Sequence, residues 1–173
     1  NLFLFGSKVF SSVPGKTIAV GKEVRQLACV IPYKEMKQLI LDTQHIAAGT
    51  CVCRHQGNLL GKPSSEPMGN CMVFGESALF SVERGFTKRL SEKEALERLD
   101  EAEEAGLVHN YVNNPGQFTN LLCNCCGCHC FILRGAKNAP APSQMVNPRY
   151  LVYVNENDCT ACEACIGRCW MKA

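Results

Sequence analysis

The spacing of the cysteines constrains this chain more than any other feature of its sequence. Thirteen of its 173 residues are cysteine, and nine of these fall in two tight groups, 123–130 and 159–169. The odd count and a length that needs no disulfide staples argue against a disulfide framework, and cysteines this close in sequence cannot brace distant segments. The pattern therefore predicts ligation of a metal ion or a metal cluster.

The C-terminal group has the form C-x-x-C-x-x-C-x-x-x-C, made of Cys159, Cys162, Cys165 and Cys169. The two-residue gaps let successive thiolates converge on neighbouring irons of a 4Fe–4S cluster, as in bacterial ferredoxins. In two-cluster ferredoxins the fourth cysteine binds the other cluster, so Cys169 either closes a single site or serves a second one. A zinc knot is the alternative, although zinc sites more commonly use two C-x-x-C pairs. Trp170 stands where such a run normally has proline.

The central group, 123–130, places five thiols and an imidazole within eight residues, too many for one cluster held by one strand. Strand alternation would set Cys123 and Cys125 on one side and the other three thiols on the opposite side, unless Gly127 bends the chain. Separate short segments carry three further cysteines. We predict a second 4Fe–4S site whose iron ligands are Cys51, Cys71, Cys125 and Cys126, within a wider cluster-binding set that adds Cys53, Cys123 and Cys128.

Two alternatives remain open for the central cysteines. A structural zinc site would use the same thiols, and His129 is an acceptable zinc ligand. A catalytic thiol would need a lowered pKa, which Arg54 or His55 would provide beside Cys53. Cys29 lies in an apolar run and is predicted to be a small buried hydrophobe.

Local patterns predict an α+β fold with modest secondary-structure content. Pro32 opens a helical pattern that runs to about Thr43, and Ser91 and Glu94 form a capping box for a second helix that ends at Gly106. Segment 50–53 is predicted to be a short strand or extended loop, segment 131–135 to begin a short helix, and segment 13–16 to be a turn between two strands. The predicted organisation is a small cysteine-rich main domain over 1–138, a linker over 139–149 and a truncated ferredoxin-like module over 150–173.

Charge and hydropathy narrow the classes of partner. The net charge of +2 with interspersed signs gives no basic face for nucleic acid or a membrane surface, and no apolar stretch reaches the length of a membrane span. The chain begins at Asn1 without methionine and stops at Ala173 shortly after a motif that usually occurs in pairs. We therefore expect a fragment of a longer protein.

Five segments together resemble a family of anaerobe iron–sulfur proteins labelled 4Fe–4S binding or ferredoxin-like. Here they are C-V-C-R-H at 51–55, P-M-G-N-C at 67–71, A-G-L-V-H at 105–109, C-N-C-C-G-C at 123–128, and the ferredoxin run at 159–169. Members usually have cysteine where Ser64 and His129 stand in this chain. The resemblance implies cluster binding but brings no settled reaction.

We expect a cytoplasmic redox subunit that passes single electrons through two 4Fe–4S clusters to a partner oxidoreductase. A third cluster is expected if the chain continues beyond Ala173. Two other functions stay open: an enzyme that uses an open-site cluster or a reactive thiol, and a zinc-binding structural or sensor module. No catalytic residue and no oligomeric state are predicted.

Overall fold

A seven-stranded sheet forms the centre of the fold. The computed structural model describes residues 28–114, 119–138, 140, 147–148 and 153–170. The strand order is β4-β2-β3-β6-β5-β1-β7, and neighbouring strands run antiparallel except β1 and β7, which are parallel. The strands are β1 (Ala28–Val30), β2 (Ile46–Gly49), β3 (Cys71–Phe74), β4 (Lys88–Leu90), β5 (Val108–Asn114), β6 (Thr119–Cys125) and β7 (Asn147–Pro148).

Helices connect these strands and cover the sheet. They are α1 (Tyr33–Leu41), α2 (Val52–Leu59), α3 (Glu76–Glu83), α4 (Glu92–Glu104), α5 (Phe131–Asn138) and α6 (Ala164–Arg168). No helix in the described part of the chain is long and apolar enough to cross a membrane.

One face of the sheet carries the apolar core. Side chains alternate along β3, so Met72 and Phe74 point to the same face, where they meet Leu122 of the neighbouring strand. Helices α1 and α4 cover this face with buried side chains that include Met36, Ile40, Ala95 and Leu99. Burying a side chain of this size contributes about 1.5–3 kcal/mol, so this face carries most of the hydrophobic stabilisation.

The opposite face carries sulfur. Cys71 of β3 alternates with the core residue Met72, and Cys123 and Cys125 alternate with Leu122 and Asn124 along β6. Leu133 of α5 packs against Cys125 and Cys130, so α5 covers this face beside the thiols. The fold therefore separates an apolar layer from a thiol layer across one sheet.

The predicted α+β class is confirmed, and so are the main helices. Ser91 and Glu94 make both hydrogen bonds of the capping box at the start of α4, and Gly106 beyond its end has a φ of +69°. Helix α5 begins where a short helix was predicted. The strand predicted at 50–53 is wrong, because α2 begins at Val52 with Cys51 as its N-cap.

The predicted domain boundaries stay a prediction. Strand β7 lies within the predicted linker and pairs with β1, so this part of 139–149 belongs to the sheet. The turn predicted at 13–16 and its flanking strands lie outside the described residues.

Candidate metal centre

Six thiols on the sulfur face form a closed ring. Each thiol is in hydrogen-bonding contact with two others, in the order Cys51, Cys53, Cys130, Cys125, Cys123, Cys71 and back to Cys51. We call this group the six-thiol ring. It joins residues up to 79 positions apart in sequence, which only the tertiary fold can bring together.

Four segments position the ring. Helix α2 contributes Cys51 as its N-cap and Cys53 in its first turn, β3 contributes Cys71, and β6 contributes two thiols on one face. After Cys125 the chain turns through 126–129, where the amide of Cys130 bonds the carbonyl of Cys126 at 3.2 Å. This turn returns Cys130 to the side of Cys125, so the alternation expected for the whole segment ends at Cys125.

Two helix N-termini face the ring and favour negative charge on sulfur. The backbone N–H of Arg54 favours the Cys51 thiolate, and the backbone N–H groups of Leu133 and Ile132 favour the Cys130 thiolate. The first amides of a helix have no partner within the helix and carry the positive end of its dipole. The ring is therefore built to hold thiolates.

Hydrogen bonds between the thiols of the ring shift their pKa values in both directions. The pKa values of Cys51, Cys123 and Cys130 are lowered, chiefly because neighbouring thiols donate hydrogen bonds to each thiolate. The pKa values of Cys53, Cys71 and Cys125 are raised, chiefly because ionisation would break those bonds and place like charges in contact. A bound cation would offset this repulsion and release the retained protons.

Arg54 supplies a buried positive charge beside the ring. Its side chain is 0% exposed and donates hydrogen bonds to the carbonyls of Pro67 and Asn124. Burial lowers its pKa, but the charges of Cys51, Cys126 and Cys71 outweigh burial and raise it overall. Arg54 therefore faces Cys51 rather than Cys53, and His55, the other predicted pKa-lowering residue, is exposed.

Buried polar groups beside the ring lack hydrogen-bond partners that a bound cluster could supply. Asn110 is fully buried, lies opposite Cys123 in the β5–β6 ladder, and has no hydrogen-bond partner for either side-chain atom within the described residues. The Nε atom of Arg54 likewise has no hydrogen-bond partner in the described part of the chain. Buried donors are rarely left unsatisfied, and cluster sulfides accept hydrogen bonds from such groups. The surroundings of the ring fit an iron–sulfur cluster.

A second group of ligand atoms lies on the turn that follows β6. The group consists of Cys126, Cys128 and His129, and we call it the Cys–Cys–His triad. Each residue offers one ligand atom, and the three atoms all lie within 4.8 Å of one another. The structure thus divides the predicted second ligand set, with Cys51, Cys71 and Cys125 in the ring and Cys126 in the triad. The guanidinium of Arg54 contacts Cys126 and faces Cys51, so it links the two groups.

The C-terminal motif is an exposed loop that ends in α6. Cys159, Cys162 and Cys165 are exposed, and Cys169 is half-buried. The pKa of Cys162 is lowered, chiefly because the backbone N–H of Ala164 donates a hydrogen bond to its sulfur, with a smaller contribution from the hydroxyl of Thr160. The spacer residues Ala161 and Glu163 have φ values of +54° and +58°. This left-handed backbone curls the loop, and the amide of Ala164 is directed at the sulfur of Cys162.

Trp170 attaches this motif to the rest of the chain. Its indole N–H donates to the carbonyl of Gly106 at 2.9 Å, and its ring packs with Cys126, Ala102 and Leu107. The aromatic residue that departs from the usual proline is thus the anchor between the motif and the triad.

A chain of hydrogen bonds runs from the motif to the ring. Arg168 pairs with Glu103 at 3.1 Å, and the other carboxylate oxygen of Glu103 lies 3.1 Å from Nε2 of the buried His109. Nδ1 of His109 lies 2.7 Å from Oδ1 of Asn124, whose backbone carbonyl accepts from Arg54. A continuous polar path therefore joins α6 to Arg54.

Comparison with family models, with curated proteins and with solved structures finds no match. The functional argument therefore rests on the thiols and their surroundings.

Sequence reasoning gave an incomplete place to two residues of these groups. Cys130 was not among the predicted ligands, although its place immediately before α5 and after a glycine-containing turn is a usable signal. His129 was considered only as an alternative zinc ligand.

Proposed function

We propose that this chain is an iron–sulfur protein that passes single electrons to a partner oxidoreductase. One 4Fe–4S cluster would be held by thiols of the six-thiol ring, and another by Cys159, Cys162, Cys165 and Cys169. The observation that carries the proposal is the ring itself, six converging thiols on one covered face of a sheet. The resemblance of five sequence segments to 4Fe–4S binding proteins supports it.

The surroundings of the ring suit a cluster that carries negative charge. Cys51, Cys125 and Cys130 are buried, so water is largely excluded from them. Arg54 places a full positive charge next to Cys51 and Cys71 of the ring, and helix amides add partial positive charge. Burial, fixed charge and hydrogen bonds to sulfur are the means by which a protein sets a cluster potential.

A bound cluster supplies one-electron uptake and release. The chain's own contribution is to keep both sites in one connected structure. Trp170 contacts Cys126, which contacts Arg54, so packed groups connect the C-terminal motif with the ring. Such contacts favour the passage of electrons between two sites in one chain.

A second candidate function rests on the number of thiols. A 4Fe–4S cluster takes four cysteines, whereas the ring offers six. Two thiols beside a cluster would be free for redox chemistry, which favours an enzyme as the alternative. Alkylation by iodoacetamide in the anaerobic, cluster-loaded protein discriminates the two. An enzyme would react at the ring thiols that lie outside the cluster, whereas an electron carrier would keep those thiols unreactive.

The decisive experiment measures iron, acid-labile sulfide and zinc per chain in anaerobically purified protein. We expect about eight irons and about eight sulfides, four of each per cluster, and bleaching of the visible absorption by dithionite. Zinc in both thiol sites without sulfide would refute the proposal.

Two matched variants locate the clusters. The triple variant Cys71→Ser, Cys123→Ser, Cys125→Ser leaves three ring thiols, one fewer than a 4Fe–4S cluster takes, and is expected to lower the iron content by about half. Cys29→Ser makes the same change at a buried cysteine of the apolar core, and the iron content should stay at that of the wild type. Equal losses in both variants would mean that the loss reflects misfolding and not ligation.

A further inference from the structure

The Cys–Cys–His triad has the composition and compactness of a site for one ion. Its three ligand atoms lie within 4.8 Å of one another, and Cys126 is only 1% exposed. Sulfur and nitrogen ligands at about 2.0–2.3 Å from a tetrahedral zinc ion lie about 3.5 Å apart, so small movements would close the triad around zinc.

The hydrogen bond of His129 fixes which nitrogen is free to bind metal. Its Nε2 lies 2.8 Å from the backbone carbonyl of Lys62, and a carbonyl only accepts, so Nε2 carries the proton. Its Nδ1 is buried and has no hydrogen-bond partner within the described residues. A protonated Nδ1 would be an unsatisfied buried donor, so the ring is the neutral tautomer with a free lone pair on Nδ1. A backbone carbonyl on the second nitrogen is the usual partner of metal-binding histidines.

A glycine in the middle of a helix makes room for this imidazole. A Cβ atom at Gly57 would lie 2.3 Å from Cδ2 and 2.6 Å from Nε2 of His129, and 2.9 Å from the carbonyl oxygen of Lys62. Glycine costs about 1 kcal/mol relative to alanine inside a helix. Its presence in α2 is explained by the close approach of the His129 ring.

The sulfur atoms of the triad accept hydrogen bonds, and a polar side chain lies beside one of them. The backbone N–H of His129 lies 3.4 Å from Sγ of Cys126, and Arg54 contacts the same sulfur. Ser64 places its hydroxyl against the sulfur of the exposed Cys128. A fourth ligand would come from this side, as either Ser64 or a water molecule.

From these observations we infer that the triad binds a single zinc ion through Cys126, Cys128 and Nδ1 of His129. This site is separate from the six-thiol ring and from the C-terminal motif, and it does not depend on the proposed electron transfer. By joining the turn 126–129 to the segment that contains Lys62 and Ser64, the ion would fix the loop that follows α2.

The test measures zinc per chain by mass spectrometry in full-length protein whose iron–sulfur clusters are loaded. We expect one zinc in the wild type and an affinity loss of at least about 100-fold in His129→Ala, since even outer-shell partners of zinc ligands carry about 10–100-fold. His55→Ala is the matched control, because His55 is exposed on α2, and it should keep the ion. Iron content and dithionite bleaching should be unchanged in both variants.

Two further variants separate ligation from folding. His129→Cys should retain zinc, with the number of sulfur ligands in zinc X-ray absorption rising from two to three. Gly57→Ala should displace the imidazole and weaken zinc binding without changing a ligand. Equal zinc content in wild type and His129→Ala, or no zinc in the cluster-loaded wild type, would overturn the inference, and an iron ion at the site would overturn its assignment to zinc.

Discussion

Replacing Gly127 by alanine should detach Trp170 from its position beside the triad. A Cβ atom at Gly127 would lie 2.9 Å from both Cβ and Cε3 of Trp170. Contacts this short do not occur between real side chains, and Cβ of Trp170 is tied directly to the backbone. The clash therefore cannot be relieved by rotation of a flexible side-chain end, and the indole must move.

The expected size of the effect follows from the cost of the clash and from the interactions that hold Trp170 in place. Overpacking of this kind costs about 1–3 kcal/mol. Trp170 is held by one hydrogen bond to Gly106, which contributes about 0.5–1.5 kcal/mol, and by the packing of a half-buried ring. The ratio of packed to displaced Trp170 should fall by about 5- to 140-fold, since 1.4 kcal/mol corresponds to a factor of ten.

The assay uses the fact that Trp170 is the single tryptophan of the chain. Incorporated 5-fluorotryptophan gives one ¹⁹F resonance, which should move toward the position of a solvent-exposed indole and become sensitive to exchange of H₂O for D₂O. Gly167→Ala is the matched control, because an added Cβ there meets nothing within 4 Å. The reasoning is refuted if the resonance of Gly127→Ala coincides with that of the wild type, or if both variants shift equally.

Four further predictions concern charge and stability. Arg54→Met should lower the reduction potential of the ring cluster by about 100 mV in a redox titration. A unit charge at about 6 Å and an effective dielectric of about 20 contributes about 3 kcal/mol, which sets this size. Arg54→Lys keeps the charge and should shift the potential less. Leu99→Ala, at a fully buried core position, should lower the free energy of unfolding in urea by about 2–5 kcal/mol, whereas Ser91→Ala should cost about 1 kcal/mol through the lost cap. Hydrogen bonds from the side chain and backbone of Ser91 lower the pKa of Glu94 in the folded protein. The stabilisation that ionised Glu94 provides is therefore present above its ordinary pKa and is lost as the pH falls through its pKa in the folded state. The stability difference between wild type and Glu94→Gln should therefore shrink in acid.

Local signals in the sequence predicted the helices whose ends are fixed by local chemistry. The capping box of Ser91 and Glu94 and the left-handed Gly106 each require only neighbouring residues, and both are present at α4. Segment 50–53 was misassigned because two cysteines at alternate positions suit a strand and an N-terminal helix turn equally. Cys51 as an N-cap has no oxygen to signal a helix start.

The candidate site could be predicted only in part, because its geometry comes from contacts between distant segments. Alternation correctly placed Cys123 and Cys125 on one side of β6. Nothing local indicates that Cys51 contacts Cys71 or that Cys53 contacts Cys130, since sheet order and helix packing decide both. The division between ring and triad likewise follows from the turn after Cys125. The short spacing of these cysteines in the sequence does not indicate which of them belong to which group.

The polar path between α6 and Arg54 gives the two thiol regions a common electrostatic environment. Asn124 donates its amide to the carbonyl of Asn70, so its Oδ1 faces His109, while a Glu103 oxygen faces the other ring nitrogen. Both nitrogens of this buried ring are thus held by side-chain oxygens, so the path is continuous from Arg168 to the carbonyl that accepts from Arg54. Because Arg54 is buried, salt screens its charge weakly, and negative charge gained at the six-thiol ring would be felt along these hydrogen-bonded groups.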